Sequence, residues 1–481
     1  MSTLSSVDVP PAKLASTLSV SPPEVKTKPA PLDPITSKIL IIGAGVFGLS
    51  TAYHFQEDGF KDVVVLDRAV ELPARDAAST DINKVIRSMY SDRFYTRLGR
   101  EAIAKWKDPM WEGCYHESGV LVIGDPCRQS WYENDISEGS RVLALPDAES
   151  IRSVFPKSLQ TTIPTQDYCD SLGSFTSYTG YISHDCGWTE ATRAVKILID
   201  TIVSRGVKIE GGKEVVMLLR SGPDGSGYTH GVKCRDGSMY FADRVIVATG
   251  SWTASNFPEL ELDKMCLATG HALAMIQLNP EEAERYRQCP VAMDSSTGLY
   301  VLPPDENNVI KTAVHDAGYT HVVIPSSVSF SSENPTSPPR KISTPRTILS
   351  HPEGSDGLRV PRTALEILRD NLRILYPELA QKPWAETRLC WYTDSPDSDW
   401  VIGEFPGDPG LFLATSGSGH AFKFLPNVGR LVLDILQGKA STATVAKFAV
   451  NREAGEDALG ERAEGEAQEL VLEDLCGTED L

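Results

Sequence analysis

Between Lys38 and Arg68 hydrophobic and polar positions follow a definite order. Ile39-Leu40-Ile41-Ile42 form a short apolar run, a glycine-rich turn follows, then "VFGLSTAYHFQEDG" with apolar residues three to four apart, then Val63-Val64-Val65-Leu66. A short apolar run bounded by glycine reads as a buried strand, and the wider spacing reads as a helix. The stretch therefore predicts strand, turn, helix and strand, the opening of a parallel sheet.

The same logic returns twice. "GWTEATRAVKILIDTIVSRGVKIEGG" is a helical pattern leading into a strand, and "YFADRVIVATGSW" is a buried strand ending at Thr-Gly. Between them, "EVVMLLRSGPDGSGYTHGVKCRDGSMY" predicts hairpins around glycine-rich turns. "GHALAMIQL" and "GLYVLPPDENNVIKTAVHDAG" read as antiparallel strands, and "ALEILRDNLRILYPEL" as an amphipathic helix. Toward the end, "GLFLATSGSGHAFKFLPNVGRLVLDILQGK" gives a strand, a glycine turn and a helix. The Ser/Pro-rich run "IPSSVSFSSENPTSPPRKISTPRT" is expected to be a long surface loop.

Together these elements predict an α/β protein. A Rossmann-like dinucleotide domain assembles from residues 37–115, 178–260 and 385–450, and an antiparallel-sheet substrate domain with helices occupies 116–177 and 261–384. Residues 1–36 lack periodicity and are expected to be a disordered leader. Residues 451–481 hold eleven acidic and two basic side chains and are expected to be a solvated helical or disordered acidic tail.

Composition narrows the partners. The formal net charge of −19 argues against nucleic acid. No apolar run approaches the roughly 20 residues needed to cross a bilayer, and there is no secretory or peroxisomal signal. A cytoplasmic protein without a membrane partner is the expectation. The nine cysteines include no CxxC pair and no Cys/His cluster, so no metal site is expected and the thiols fit a reducing compartment.

The turn Gly43-Ala44-Gly45-Val46-Phe47-Gly48 is a GxGxxG sequence with a strand before it and a helix after it. Gly43 permits the tight bend, Gly45 lets backbone approach a pyrophosphate, and Gly48 lets helix pack on strand. Asp67, at the end of the second strand and followed by Arg68, can accept hydrogen bonds from a ribose diol. The motif alone does not separate NAD from FAD. An NAD-linked dehydrogenase and a non-catalytic flavin-binding protein remain alternatives to a flavin oxidase. The late strand, glycine turn and helix favour FAD, because an extended flavin needs a second contact far from its diphosphate. A helix beginning there would favour negative charge on the reduced ring.

Three stretches carry a family resemblance: "ASTDINKVIRSMYSD", "NNVIKTAVHDAGY" and "CWYTDSPDSDWVIG" with "SGSGHAFKFLPNVG". The chain resembles the flavin amine oxidases related to monomeric sarcosine oxidase, within them the fungal branch of saccharopine and fructosyl amino acid oxidases. The resemblance implies FAD bound covalently through a thioether from Cys390 to the flavin 8α carbon. From the residues alone, Cys390 is one more packed thiol. The resemblance also implies that Arg87 and Lys423 bind a substrate carboxylate, as a planar fork and a point charge, and that Lys311 lies over the flavin and assists oxygen reduction. Ser79, Thr80 and Lys84 approach the ring, with Gly417, Gly419 and His420 in the late turn. Ser79 and Thr80 stand where sarcosine oxidase has paired histidines, and Lys84 where it has an arginine, which leaves a sarcosine-sized substrate in doubt. The implied activity is oxidation of a secondary amine, an N-substituted amino acid, to an imine, with O2 reduced to H2O2 by a monomeric enzyme.

Overall fold

The computed structural model describes residues 30–124, 129–160, 170–222, 227–324, 340–453 and 465–481. Most of the expected leader and residues 325–339 of the expected surface loop lie outside these.

The strand Lys38–Ile42 pairs in parallel with Asp62–Leu66 on one side and Arg244–Val247 on the other, with Ile42 opposite Leu66 and Val247. Both neighbours and both faces are covered, which is why these strands are almost continuously apolar. Lys208–Glu210 extends the sheet at one edge and Asp408–Thr415 with Val401–Phe405 at the other, giving six strands. The helices Val46–Glu57, Ala191–Ser204 and Val428–Leu436 share one apolar core with it.

A second, ten-stranded sheet is mixed. Its centre is Leu267–Gln277, which pairs antiparallel with Val309–Val314 on one flank and Glu386–Asp394 on the other. Leu299–Leu302, Val291–Asp294, Val120–Gly124, Thr179–Ser183 and Val142–Leu145 continue the sheet outward. The helix Arg362–Leu375 buries Ala364, Leu365, Leu368, Leu372 and Leu375 at helical spacing. They join the apolar cluster that includes Ala272, Ala274 and Ile276 of the central strand.

Several sequence-based boundaries move. Thr179–Ser183 and Glu386–Asp394, expected with the first sheet, belong to the second. The reason for Glu386–Asp394 is nine consecutive pairs with Leu267–Gln277, from Leu267 opposite Asp394 to Met275 opposite Glu386. The last part of the Ser/Pro run is not surface loop: Ile342–Ser343 pairs with Val322–Val323, and Ile342, Arg346 and Thr347 are buried. The acidic tail is not wholly solvated. Gln468–Glu469 adds a strand beside Tyr319–Thr320, and Leu470, Leu475 and Cys476 are buried. Arg359 donates to the Leu475 carbonyl at 2.7 Å and Arg362 to Asp480 at 2.9 Å, so local arginines offset the acidic run. Residues 454–464 of that tail lie outside the described ones.

Among the described residues no helix is long and apolar enough to cross a membrane. No group of three or more His, Cys, Asp or Glu there could hold a metal ion.

Candidate active site

A cavity of about 870 Å³ runs between the two sheets, near the upper end of ligand pockets, roughly 300–1,000 Å³. One end is the first glycine turn. Gly43 has φ +108°, and a Cβ there would sit 2.4 Å from the Ala248 carbonyl oxygen; a Cβ on Gly48 would sit 1.9 Å from the Gly43 carbonyl oxygen. At these two glycines the turn therefore packs against the end of the neighbouring strand and against its own helix, with no room for side chains. Gly45 differs: an added Cβ would meet only Ser79 Oγ, at 3.7 Å. Gly45 is also the N-cap of the helix and supplies no side-chain cap. The first N–H groups of that helix thus lie uncapped beside open space, an arrangement that suits a diphosphate.

Asp67 sits beside this turn with each oxygen engaged. Oδ2 accepts from Ala44 N and Oδ1 from Ala69 N, both at 2.8 Å. The carboxylate thus braces the turn itself, a role the sequence did not reveal, and retains lone pairs for a ribose. Arg68 pairs with Asp76 at 2.5 Å and lies 4.0 Å from the Trp252 ring centre. Asp76 Oδ2 also accepts from Thr347 at 2.7 Å, whereas Oδ1 is buried without a partner. Asp76 lines the cavity. A buried acceptor lacking a donor costs free energy, so a hydroxyl-rich dinucleotide suits this end.

The opposite wall is one face of the second sheet. Alternate residues of a strand share a face, and the register places Met275 opposite Lys311, Leu273 opposite Ala313, and His271 opposite Cys390. Tyr300 lies opposite Ala313 on the next strand. Lys311 and Cys390 thus belong to flanking strands and face the same side. Cys390 packs with Leu273, Met275, Ala313, Tyr300 and Tyr392, and its Sγ is 3.7 Å from Lys84 Nζ. It does not itself line the cavity; Lys84, Tyr300 and Tyr392 do.

Lys311 and Lys84 share a carboxylate absent from the sequence-based set. Asp81 Oδ2 accepts from Lys311 Nζ at 2.8 Å and lies 2.9 Å from Lys84 Nζ. Lys311 also donates to the Asn83 carbonyl. Burial pushes the Lys311 ammonium down to about 8; Asp81 opposes this and Lys84 adds to it. Burial acts in the same direction on Lys84, but Asp81 outweighs it, with help from its other neighbours, and the net shift is upward. Burial would raise Asp81, but the two lysines hold it well below the usual carboxylate range. One carboxylate between two ammoniums therefore makes them unequal: Lys84 is firmly charged, whereas Lys311 gives up its proton more readily than an ordinary lysine.

The third region carries Arg87 and Lys423. The short strand Lys84–Ile86, paired with Gly187–Thr189, delivers Arg87. Its guanidinium lies 4.3 Å from the ring centres of both Tyr90 and Trp131. Lys423 Nζ is 5.3 Å from the same Tyr90 ring and donates to the His420 carbonyl at 2.8 Å. Both side chains line the cavity although mostly buried. His420 Nε2 lies 3.0 Å from the Ser398 carbonyl oxygen and Nδ1 3.3 Å from Tyr90 Oη. Burial, then the Lys423 charge, holds it well below its ordinary value, so it is a neutral imidazole.

Known proteins of the same architecture place this site. The family of FAD dependent oxidoreductases termed DAO matches residues 38–435. The chain belongs to that family. L-saccharopine oxidase of Schizosaccharomyces pombe is 29% identical, with 84% of this chain and 90% of the relative covered. Amino acid oxidase fsqB of Aspergillus fumigatus is 27% identical, covering 84% of this chain and 92% of the relative. The solved structure of the deglycating enzyme fructosamine oxidase (Amadoriase II) from Aspergillus fumigatus is 26% identical, with a TM-score of 0.73 and 92% and 97% of the two chains covered. This protein is thus an FAD-dependent oxidoreductase, and the NAD-linked alternative falls away.

Most of the expected site residues of this DAO-family member converge. Gly43, Gly45, Val46, Phe47, Asp67 and Arg68 line one end of the cavity, with Ser79 and Lys84 beyond them. Arg87, Lys311, Gly417, Gly419, His420 and Lys423 complete the other end. Three residues do not line it. Gly48 is packed inside the turn, and Cys390 stands behind Lys84. Thr80 is tied into the wall by its carbonyl, which accepts from Arg388 at 2.6 Å. The late helix also differs from expectation. Phe422–Phe424 is a 3-10 turn and the helix proper starts at Val428, after Pro426, so its N-terminus does not join the cavity wall.

Sequence reasoning missed Asp76, Asp81, Trp131, Tyr300, Asp316 and Tyr392. Asp81 had a signal, since it stands three residues before Lys84 inside a motif already singled out. Asp316 and Tyr392 also lie inside quoted motifs, but nothing local marks them. Trp131 comes from the helix Gln129–Ser137, and Asp76 and Tyr300 reach the cavity through packing that no local pattern specifies.

Proposed function

We propose that this oxidoreductase oxidises a secondary amine that carries a carboxylate, an N-substituted amino acid, passing the electrons to O2 and releasing H2O2, with FAD tethered to Cys390. The observation that carries the reading is the convergence of Arg87 and Lys423 on one Tyr90 ring in the cavity that Lys311 and Lys84 also line. Arg87 offers a planar fork and Lys423 a compact charge, a pairing suited to a carboxylate. Their aromatic surroundings exclude water and strengthen both interactions. Bound FAD supplies the electron acceptor that no side chain provides.

The residues of the chain orient and polarise. The carboxylate anchor fixes one end of the substrate and so aligns its C–N bond. His420 stays neutral and braces Tyr90. No carboxylate or imidazole of the anchor acts as a strong base, so the amine must arrive unprotonated, and kcat/KM is expected to rise with pH through the amine's own pKa. Lys311 presents a positive charge where oxygen gains electrons. Lys84, beside the Cys390 sulfur and the cavity, supports the tethering reading. Family relatives named for saccharopine and for fructosyl amines support the substrate class.

The test has two arms. Denatured protein from riboflavin-replete cells is expected to have the mass of polypeptide plus FAD, and Cys390→Ala the mass of polypeptide alone. The native enzyme is expected to release peroxide with at least one N-alkyl amino acid, sedimenting as a monomer. Bare polypeptide mass in the unaltered protein removes the tether; no peroxide across a panel of secondary amines, with flavin bound, removes the activity.

A further inference from the structure

Asp316 stands on the loop that follows Val309–Val314 and lines the cavity. Its two oxygens are used differently. Oδ1 accepts from Gly318 N at 3.0 Å and lies 3.2 Å from His271 Nδ1. Oδ2 has no hydrogen-bond partner among the described residues, and the side chain is 39% exposed. Of the other carboxylates of the cavity wall, Asp67 braces the glycine turn, Asp76 pairs with Arg68 at the dinucleotide end and keeps its one free oxygen buried there, and Asp294 accepts from Ser296 N at 2.8 Å and Tyr178 Oη at 3.4 Å.

The support behind Asp316 is rigid. His271 is buried and stacks on Tyr392 with ring centres 4.1 Å apart. Its Nε2 lies 3.0 Å from Thr269 Oγ1 and 3.9 Å from Asp394 Oδ2. Burial would lower the imidazole, but Asp316 and Asp394 together bring it up to about 9. Burial would raise Asp316, but the His271 hydrogen bond and charge outweigh it, and the acid stays ionised. One imidazolium thus stands between two carboxylates, with the His315 ring 6.1 Å from that of His271 and also lining the cavity. Gly318 is pressed on His271, since a Cβ there would meet Cε1 at 2.9 Å. From outside, Gln468 N donates to the Gly318 carbonyl at 3.0 Å.

We propose that Asp316 is a specificity-determining residue whose open oxygen receives a cationic group, an ammonium or guanidinium, on the substrate arm remote from the carboxylate held by Arg87 and Lys423. The proposal rests on the amino acid reading above and narrows it to substrates that carry a second, positive end. Fixed carboxylates meeting fixed cations gain strength because neither site needs reorganisation on binding.

The experiment uses FAD-loaded enzyme and non-oxidisable probes: ω-amino acids of increasing chain length against the matched alkanoates. Dissociation constants come from perturbation of the visible flavin spectrum. At the chain length that spans the two sites, the ω-amino acid is expected to bind about tenfold more tightly, as befits a charge-assisted hydrogen bond partly open to solvent. In Asp316→Asn the ratio falls to near one; the asparagine oxygen still accepts from Gly318 and His271, so the loop keeps its shape. In Asp316→Lys the preference shifts to matched dicarboxylates, a reversal that a merely structural role would not produce. No preference at any length in the native enzyme, or an unchanged preference in Asp316→Asn, overturns the proposal. Alkanoate binding without that preference removes Asp316 alone. Flavin-loaded enzyme that binds neither series removes the carboxylate anchor and this proposal with it.

Discussion

The two ends of the cavity are built by opposite means. At the dinucleotide end, Gly43 to Asp67 form one continuous unit, and backbone groups make the surface. At the reacting end, Asp81 and Lys311 are 230 positions apart and Lys84 and Cys390 are 306 apart. Lys311 and Cys390 are brought together by Leu267–Gln277, which holds a strand on each flank in register. Asp81 and Lys84 reach them from the segment leading into and opening the separate strand Lys84–Ile86. The first end is sensitive to any side chain in the wrong place. The second depends on particular side chains whose mutual charges set their behaviour.

The largest contrast comes from Gly43→Val. A branched side chain at φ +108°, 2.4 Å from the Ala248 oxygen, is expected to cost about 3 kcal/mol and abolish flavin loading. Flavin-to-protein ratio and thermal unfolding measure it, and stoichiometric flavin in the variant breaks the contrast. Lys311→Met should do the reverse, retaining flavin while slowing turnover in air about 100- to 1,000-fold. Rapid mixing of reduced enzyme with oxygen locates the loss; an unchanged reoxidation rate would show the charge to be idle.

A smaller effect sharpens the electrostatics. Burial favours the neutral amine of Lys311, so its proton leaves at lower pH than an ordinary lysine's, near 8. Turnover at saturating amine is expected to fall as pH rises through that value, and Lys311→Met to flatten this limb. Smallest is removal of residues 465–481, expected to lower the unfolding temperature by about 2–4 °C. Because this segment braces the loop bearing Asp316, deletion should weaken substrate binding and spare flavin content. Lost flavin would mean that the two ends are not separable.

Legibility follows the same divide. The glycine turn, its helix and Asp67 were readable because strand, bend and acid lie within one short segment with their own periodicities. Arg87, Lys311, Lys423 and Cys390 were readable only through resemblance, since each looks locally like an ordinary charge or thiol. Asp316 was quoted in a motif yet passed over, because its significance comes from His271, forty-five positions away, and from a C-terminal strand expected to be solvated. The placement of Glu386–Asp394 in the second sheet was not legible either. A strand's partner is chosen by long-range packing, and nothing within nine residues names it.

The position of Leu267–Gln277 bears on biogenesis. Its apolar residues Leu273, Ala274, Met275 and Ile276 are buried, and Leu267 to Met275 find their partners along one side in Glu386–Asp394. A polypeptide leaving the ribosome gains Val309–Val314 first and Glu386–Asp394 much later, so one side of this strand stays unpaired through a long stretch of translation. Nascent chains stalled before Glu386 should therefore be held by chaperones, and those stalled well past Asp394 should be released.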